Sequence, residues 1–238
     1  MVSLETTLAL QLPIIDFRDP KPGTVEWDSV RGNVRKALEE YGCFEALFDK
    51  VPVELRKAFF DASDEVFQLP LETKQRVGSK RKYRGYVGQI PTLPLFEVIG
   101  VDFAEDVDKA VMSLAEKVSE LDFMTRRMIM ESFGLDENYI DEHLKSTKCL
   151  VRLMKYQGVE ETEEELGMEA HTDRNMQNDD LIYAAQEMVD AEHPRLYKPV
   201  DFEGYFQYTT EGPGRRDLCA LRTYCGLRGY KKITSFPK

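Results

Sequence analysis

Histidine is the scarcest chemically versatile residue in this sequence. Only three, His143, His171 and His193, occur among 238 residues, so a centre that needs several imidazoles has almost nothing to draw on. Cysteine is nearly as rare. Cys43, Cys149, Cys219 and Cys225 show neither Cys-x-x-Cys spacing nor an even framework, which points to free thiols and makes a cytoplasmic location the expectation. Long apolar runs are missing too: none approaches the roughly 20 residues that cross a bilayer. The opening MVSLETTLALQLPII lacks a basic segment followed by a sustained apolar stretch, so no secretory leader and no membrane partner are expected. Basic side chains are outnumbered, 32 to 43, for a net charge of −11. That imbalance argues against a nucleic-acid or anionic-membrane partner and leaves small molecules or other proteins. Beyond Asp173 there are only two valines and two isoleucines, Val189, Val200, Ile182 and Ile233, too little β-branched material for a sheet-rich half.

Against these absences stand 42% hydrophobic and 11% aromatic residues, enough to bury the core of one large or two small domains. Leu12 to Phe17 (LPIIDF) is a short apolar run stopped by Asp19-Pro20, and predicts a strand. Val30, Val34, Ala37, Leu38 and Tyr41 recur at helical spacing, with Gly42 as the stop. Cys43 to Phe48 predicts a second strand. Pro52 opens another helix, with Leu55, Phe59, Ala62, Val66 and Phe67 on its apolar face and Pro70 at its end. The glycine- and proline-rich stretch from Gly78 to Gly100 predicts a long surface loop. Val111, Leu114, Val118, Leu121, Met128 and Phe133, closed by Gly134, predict a long scaffold helix. Leu150 to Tyr156 (LVRLMKY) reads as a strand, and the acidic run Glu160 to Glu165 as a solvated loop. Leu181, Ala185, Met188 and Val189 are helix-spaced, as are Phe202, Tyr205 and Phe206.

On an extended segment His171 and Asp173 project to one side while Thr172 points away. An imidazole and a carboxylate presented together are two thirds of the facial triad that holds non-haem Fe(II). His-x-Asp alone is a weak pattern that equally marks a plain surface pair.

Several segments in order carry far more weight: LPIIDF, YGCFEA at Tyr41 to Ala46, LPLETKQR at Leu69 to Arg76, YRGYVGQ at Tyr83 to Gln89, RRMIMESFG at Arg126 to Gly134, HTDRN at His171 to Asn175, and EHPRLYKP at Glu192 to Pro199. With them the chain resembles the plant 2-oxoglutarate/Fe(II)-dependent dioxygenases, most closely the AOP clade. The resemblance implies His171 and Asp173 as metal ligands and Tyr156 as the residue touching the co-substrate. Fe(II) and 2-oxoglutarate are the implied cofactors, with ascorbate as reductant in vitro. A small-molecule substrate, oxidatively modified, is the implied partner.

The same resemblance exposes a deficit. The family pattern requires a second histidine several strands after His-x-Asp and then an Arg-x-Ser, which occurs nowhere in this chain. His193 lies within the tail-like EHPRLYKP, and His143 reads as a helix-end residue satisfied locally. The later strands of a jelly roll, on the order of 70 to 90 residues, would belong between Met176-Gln177-Asn178 and Asp180-Leu181-Ile182. A smaller gap falls around Asp102 to Lys109.

The expected fold is therefore α/β: an N-terminal α/β portion, an incomplete jelly-roll (double-stranded β-helix) remnant and a C-terminal helical tail. The expected divisions are 1–100, 101–178 and 179–238. The expected activity is that of an internally truncated dioxygenase, inactive as it stands. Two rivals stay open: recruitment of His193 as third ligand with Arg215 or Arg216 as co-substrate clamp, and a non-catalytic binding pseudoenzyme. The terminal RGYKKITSFPK has no reading of its own.

Overall fold

The computed structural model describes residues 11–78, 84–91, 93–102, 108–147, 149–158, 184–210, 212–217 and 219–227. The chain divides into two compact units, Met1–Ala170 and His171–Lys238.

In the first unit, β1 (Ile14–Asp16) pairs in parallel with β2 (Glu45–Leu47), and α1 (Val25–Glu40) connects them. Thr24 caps α1 by accepting a hydrogen bond from the Trp27 N–H, and Gly42 supplies the left-handed backbone that stops it, with φ of 75°. The spacing of Val30, Val34 and Ala37 places all three on the buried face. They close a core with Ile15, Phe17, Trp27 and Met128.

Helix α2 (Val53–Gln68) follows Pro52 and ends before Pro70, whose ring disfavours helical backbone in the residue ahead of it. After the short α3 (Leu71–Gln75) the structure departs from expectation. The stretch from Gly78 to Gly100 is not simply a loop: it contains β3 (Gly85–Val87) and the start of β4 (Phe96–Asp102). Glycine and proline density concealed them. Gly85 and Gly100 sit opposite each other in the β3–β4 ladder, a place where glycine weakens a strand that the pairing nonetheless forms. β4 is the central strand of the antiparallel sheet β3-β4-β5, with β5 at Leu150–Tyr156, as its apolar run predicted.

The scaffold helix α4 spans Lys109–Ser132, capped by Asp108. Val111 and Met128 are buried as their spacing requires, whereas Val118 is exposed, so the apolar stripe is narrower than the sequence pattern. Both α1 and α2 pack on α4. One face of the sheet joins this packing: Ile99 and Leu153 with Phe67 and Val111 form a second core, and Tyr86, Val101 and Val151 lean on it. Helix α5 (Glu137–Lys145), capped by Asp136, leads back to β5.

In the second unit the helix-spaced residues from Leu181 to Val189 yield only a single 3₁₀ turn, Gln186–Met188, with 181–183 outside the described residues. Phe202 to Phe206 do lie in a helix, α6 (Phe202–Thr210), followed by a 3₁₀ turn at Pro213–Arg216 and α7 (Ala220–Cys225). The acidic run Glu160 to Glu165 lies outside the described residues, as do residues 103–107, most of the smaller gap.

Met128 has no solvent exposure and touches the core that α1 and β1 share. Met128→Ala is expected to lower unfolding free energy by about 2–5 kcal/mol, read from the urea midpoint at unchanged slope.

Candidate functional site

The sheet β3-β4-β5 brings together the described residues that matter for chemistry. Its alternation assigns each one a face. Tyr86, Glu97, Ile99, Leu153 and Lys155 share the side covered by α2 and α4, and Val87, Phe96, Val98, Met154 and Tyr156 share the other. Tyr156, the residue matched to a co-substrate contact, stands at the end of β5 directly opposite Phe96. The two rings lie 5.3 Å apart, and Tyr156 is 48% exposed. Val87 and Met154 on the same face are exposed as well.

His171 and Asp173 lie outside the described residues. His143 sits in the last turn of α5, its ring stacked on Tyr139. Burial, aided by the Arg126 charge, holds its imidazole below the usual histidine value. His193 belongs to the second unit and is 72% exposed at its side chain, with Nδ1 3.1 Å from Asp190 Oδ1. The backbone N–H and imidazole of His193 in turn hold the Asp190 carboxyl low. Among the described residues no three His, Cys, Asp or Glu side chains are grouped to hold a metal ion. Arg215 and Arg216 fall in the Pro213–Arg216 turn, where the positions of their side chains lie outside the description.

A cluster that the sequence reading missed lies on the covered face. The Lys74 ammonium, 8% exposed, donates to Glu97 Oε1 at 2.6 Å and to the Phe67 carbonyl at 3.1 Å. Tyr86 donates its hydroxyl proton to the same carboxylate oxygen. Desolvation pushes the Glu97 carboxyl up, but the hydrogen bonds from Lys74 and Tyr86 and the lysine charges outweigh it and hold the group low. Burial, with the hydrogen bond to Glu97, pushes the Tyr86 phenol up to about 12. A charged residue inside the apolar run FEVIG was the available signal, since a carboxylate there must find partners or leave the sheet.

Residues 12–92 match the family model described as the non-haem dioxygenase in morphine synthesis N-terminal region. A probable 2-oxoglutarate-dependent dioxygenase, AOP1.2 of Arabidopsis thaliana, is 43% identical over 196 residues, which is 71% of this chain and 60% of the relative. The chain belongs to the plant 2-oxoglutarate-dependent dioxygenases. A second Arabidopsis thaliana relative of the family, named a probable inactive 2-oxoglutarate-dependent dioxygenase AOP2, is 42% identical over 171 residues, covering 64% of this chain and 43% of its own length. Among solved structures, the rice dioxygenase for auxin oxidation superposes with a TM-score of 0.68 at 19% identity, covering 91% of this chain and all of that one, a likeness of fold. The chain spans about 60% of the length of the curated relatives it matches first. No described helix is long and apolar enough to cross a membrane.

Family membership implies a ferrous ion and 2-oxoglutarate, and the donor supply can be tested against that need. Of three histidines in the sequence, one is packed into α5 and one is bound to Asp190 at the surface. The implied ligands His171 and Asp173 lie outside the described residues, and neither His143 nor His193 stands in a described group of three donors.

Lys74 and Glu97 provide a stability test. Removing Lys74 strands the half-buried Glu97 carboxylate, so Lys74→Met is expected to cost about 1–3 kcal/mol, whereas Lys57→Met, which breaks an exposed pair with Asp61, costs about 0.5 kcal/mol or less. Because the folded Glu97 carboxyl is held below its ordinary 4.5, its stabilisation is present above that value and lost as pH falls through and below it. Glu97→Gln should flatten that part of the pH–stability curve, as followed by thermal unfolding.

Proposed function

We propose that this chain is an internally shortened member of the plant 2-oxoglutarate/Fe(II) dioxygenases that does not turn over. Full-length relatives carry names that assign them 2-oxoglutarate-dependent dioxygenase activity, and a small specialised metabolite is the substrate class this reading attaches to the ancestral site. The observation that carries the reading is the histidine supply. No histidine of the sequence stands at the family's second-histidine position, and His193 falls within the tail-like EHPRLYKP, which leaves His171 and Asp173 as a bidentate set where the metal needs a tridentate one. Two protein donors bind a ferrous ion weakly and without fixed geometry. The missing Arg-x-Ser removes a charge-assisted, bidentate contact to 2-oxoglutarate, which leaves Tyr156 as the matched co-substrate residue.

On this reading the missing length lies inside the chain, between Asn178 and Asp180, and the parts 1–100, 101–178 and 179–238 are an N-terminal region, a scaffold helix with a jelly-roll remnant, and a C-terminal helical tail. A relative named as probably inactive, 42% identical, makes loss of activity within this clade unsurprising. Two buried clusters in the first unit also support a second reading, a binding protein that keeps its N-terminal fold without catalysis.

The purified chain with Fe(II), 2-oxoglutarate and ascorbate is expected to release no succinate above a protein-free control. Succinate formed in proportion to protein overturns the proposal. A cooperative thermal transition of the same sample distinguishes a folded pseudoenzyme from a chain that merely fails to fold.

A further inference from the structure

Where β4 begins and β5 ends, a cavity of about 360 Å³ opens beside the loop that follows β3, lined by Gln89, Pro94, Leu95, Glu97, Lys155 and Gln157. None of these residues is one that family resemblance assigns to metal or co-substrate. The size is at the lower end of small-ligand sites, about 300–1,000 Å³. Its wall carries both signs of charge, because Glu97 and Lys155 are direct partners in the β4–β5 register.

Both charges have bonding capacity left over. Glu97 Oε1 is taken by Lys74 and Tyr86, while among the described residues Oε2 accepts no hydrogen bond. The Lys155 ammonium donates to Asp64 at 3.0 Å, and an ammonium has three protons to give. The Gln89 and Gln157 amides add donors and acceptors of either kind, and Pro94 and Leu95 add an apolar side.

The surroundings hold this arrangement in place. The Gln157 N–H bonds to the Leu95 carbonyl at 2.9 Å and closes the strand ends. Gln89 adopts φ of 57°, a left-handed conformation that a non-glycine residue keeps only where its neighbours over-determine it. At Gly88 a Cβ would collide with the Tyr86 phenol that reaches across to Glu97. Strain and close approach therefore coincide at one edge of the cavity.

We infer that this cavity binds a small zwitterion of the α-amino-acid class. The ligand ammonium donates to Glu97 Oε2, its carboxylate accepts from Lys155, and its side chain lies against Pro94 and Leu95. A simple anion would meet the Glu97 carboxylate and a simple cation the Lys155 ammonium, so a ligand with both charges close together is the best electrostatic match.

The test is calorimetric titration of the full chain with L-leucine, alongside acetate and methylammonium at matched ionic strength. Saturable binding in the millimolar range is expected for L-leucine, and none for the two half-ligands. Lys155→Met, at a partly exposed position, is expected to leave the unfolding temperature nearly unchanged and to weaken binding about tenfold or more. Glu97→Gln is expected to weaken binding similarly. No saturable heat with L-leucine, equal binding of acetate, or affinity unchanged by Lys155→Met overturns the inference. Succinate release plays no part in these readouts, so this site and the proposed loss of turnover stand or fall separately.

Discussion

Burial of the helix Lys109–Ser132 by two other helices and a sheet is the contact on which the first unit depends. Near one end, Met128 closes the core shared with Ile15, Phe17 and the buried face of Val25–Glu40. Near the other, Val111 joins Phe67, Ile99 and Leu153. A single rod thus ties two hydrophobic clusters together, and elements far apart in sequence meet on it. Polar contacts reinforce the joint: Trp27 donates its indole N–H to Glu131 at 2.6 Å, and Arg35 reaches the Ser132 carbonyl at 2.6 Å.

The sheet packed on that rod separates two kinds of chemistry by the alternation of its side chains. On its covered face the Lys74–Glu97–Tyr86 cluster satisfies a half-buried carboxylate, and where β4 begins and β5 ends the cavity beside Lys155 opens. On the opposite face stands Tyr156, the position that family resemblance gives to the co-substrate, supported by the Phe96 ring. The N-terminal framework is thus well formed in a chain whose sequence holds only three histidines. Packing and catalysis make different demands on a sequence, since a helix can lose distant strands and keep its own neighbours, whereas a metal centre missing one donor loses its geometry.

The local elements were legible because each rests on nearby chemistry. Val30, Val34 and Ala37 mark a helix by spacing alone, Gly42 stops it, and the apolar β-branched runs LPIIDF and LVRLMKY announce strands. The scarcity of histidine was equally legible, because three histidines can be counted without any structure. The strands Gly85–Val87 and Phe96–Asp102 were not, since their glycines and prolines read as loop until the neighbouring strand supplies hydrogen bonds. Val118 belonged to the periodic stripe but faces solvent, because the width of a buried stripe is set by what packs against it.

By itself the sequence determined the three long helices of the first unit, the family to which the chain belongs, and the shortage of imidazole. Only the tertiary structure decided that Glu97 lies between Lys74 and Lys155 and that Tyr156 rests on Phe96. The physical reason is range: spacing and capping act over a few residues, but the burial of a charge and the partner it finds depend on strands and helices that meet only when the chain has folded.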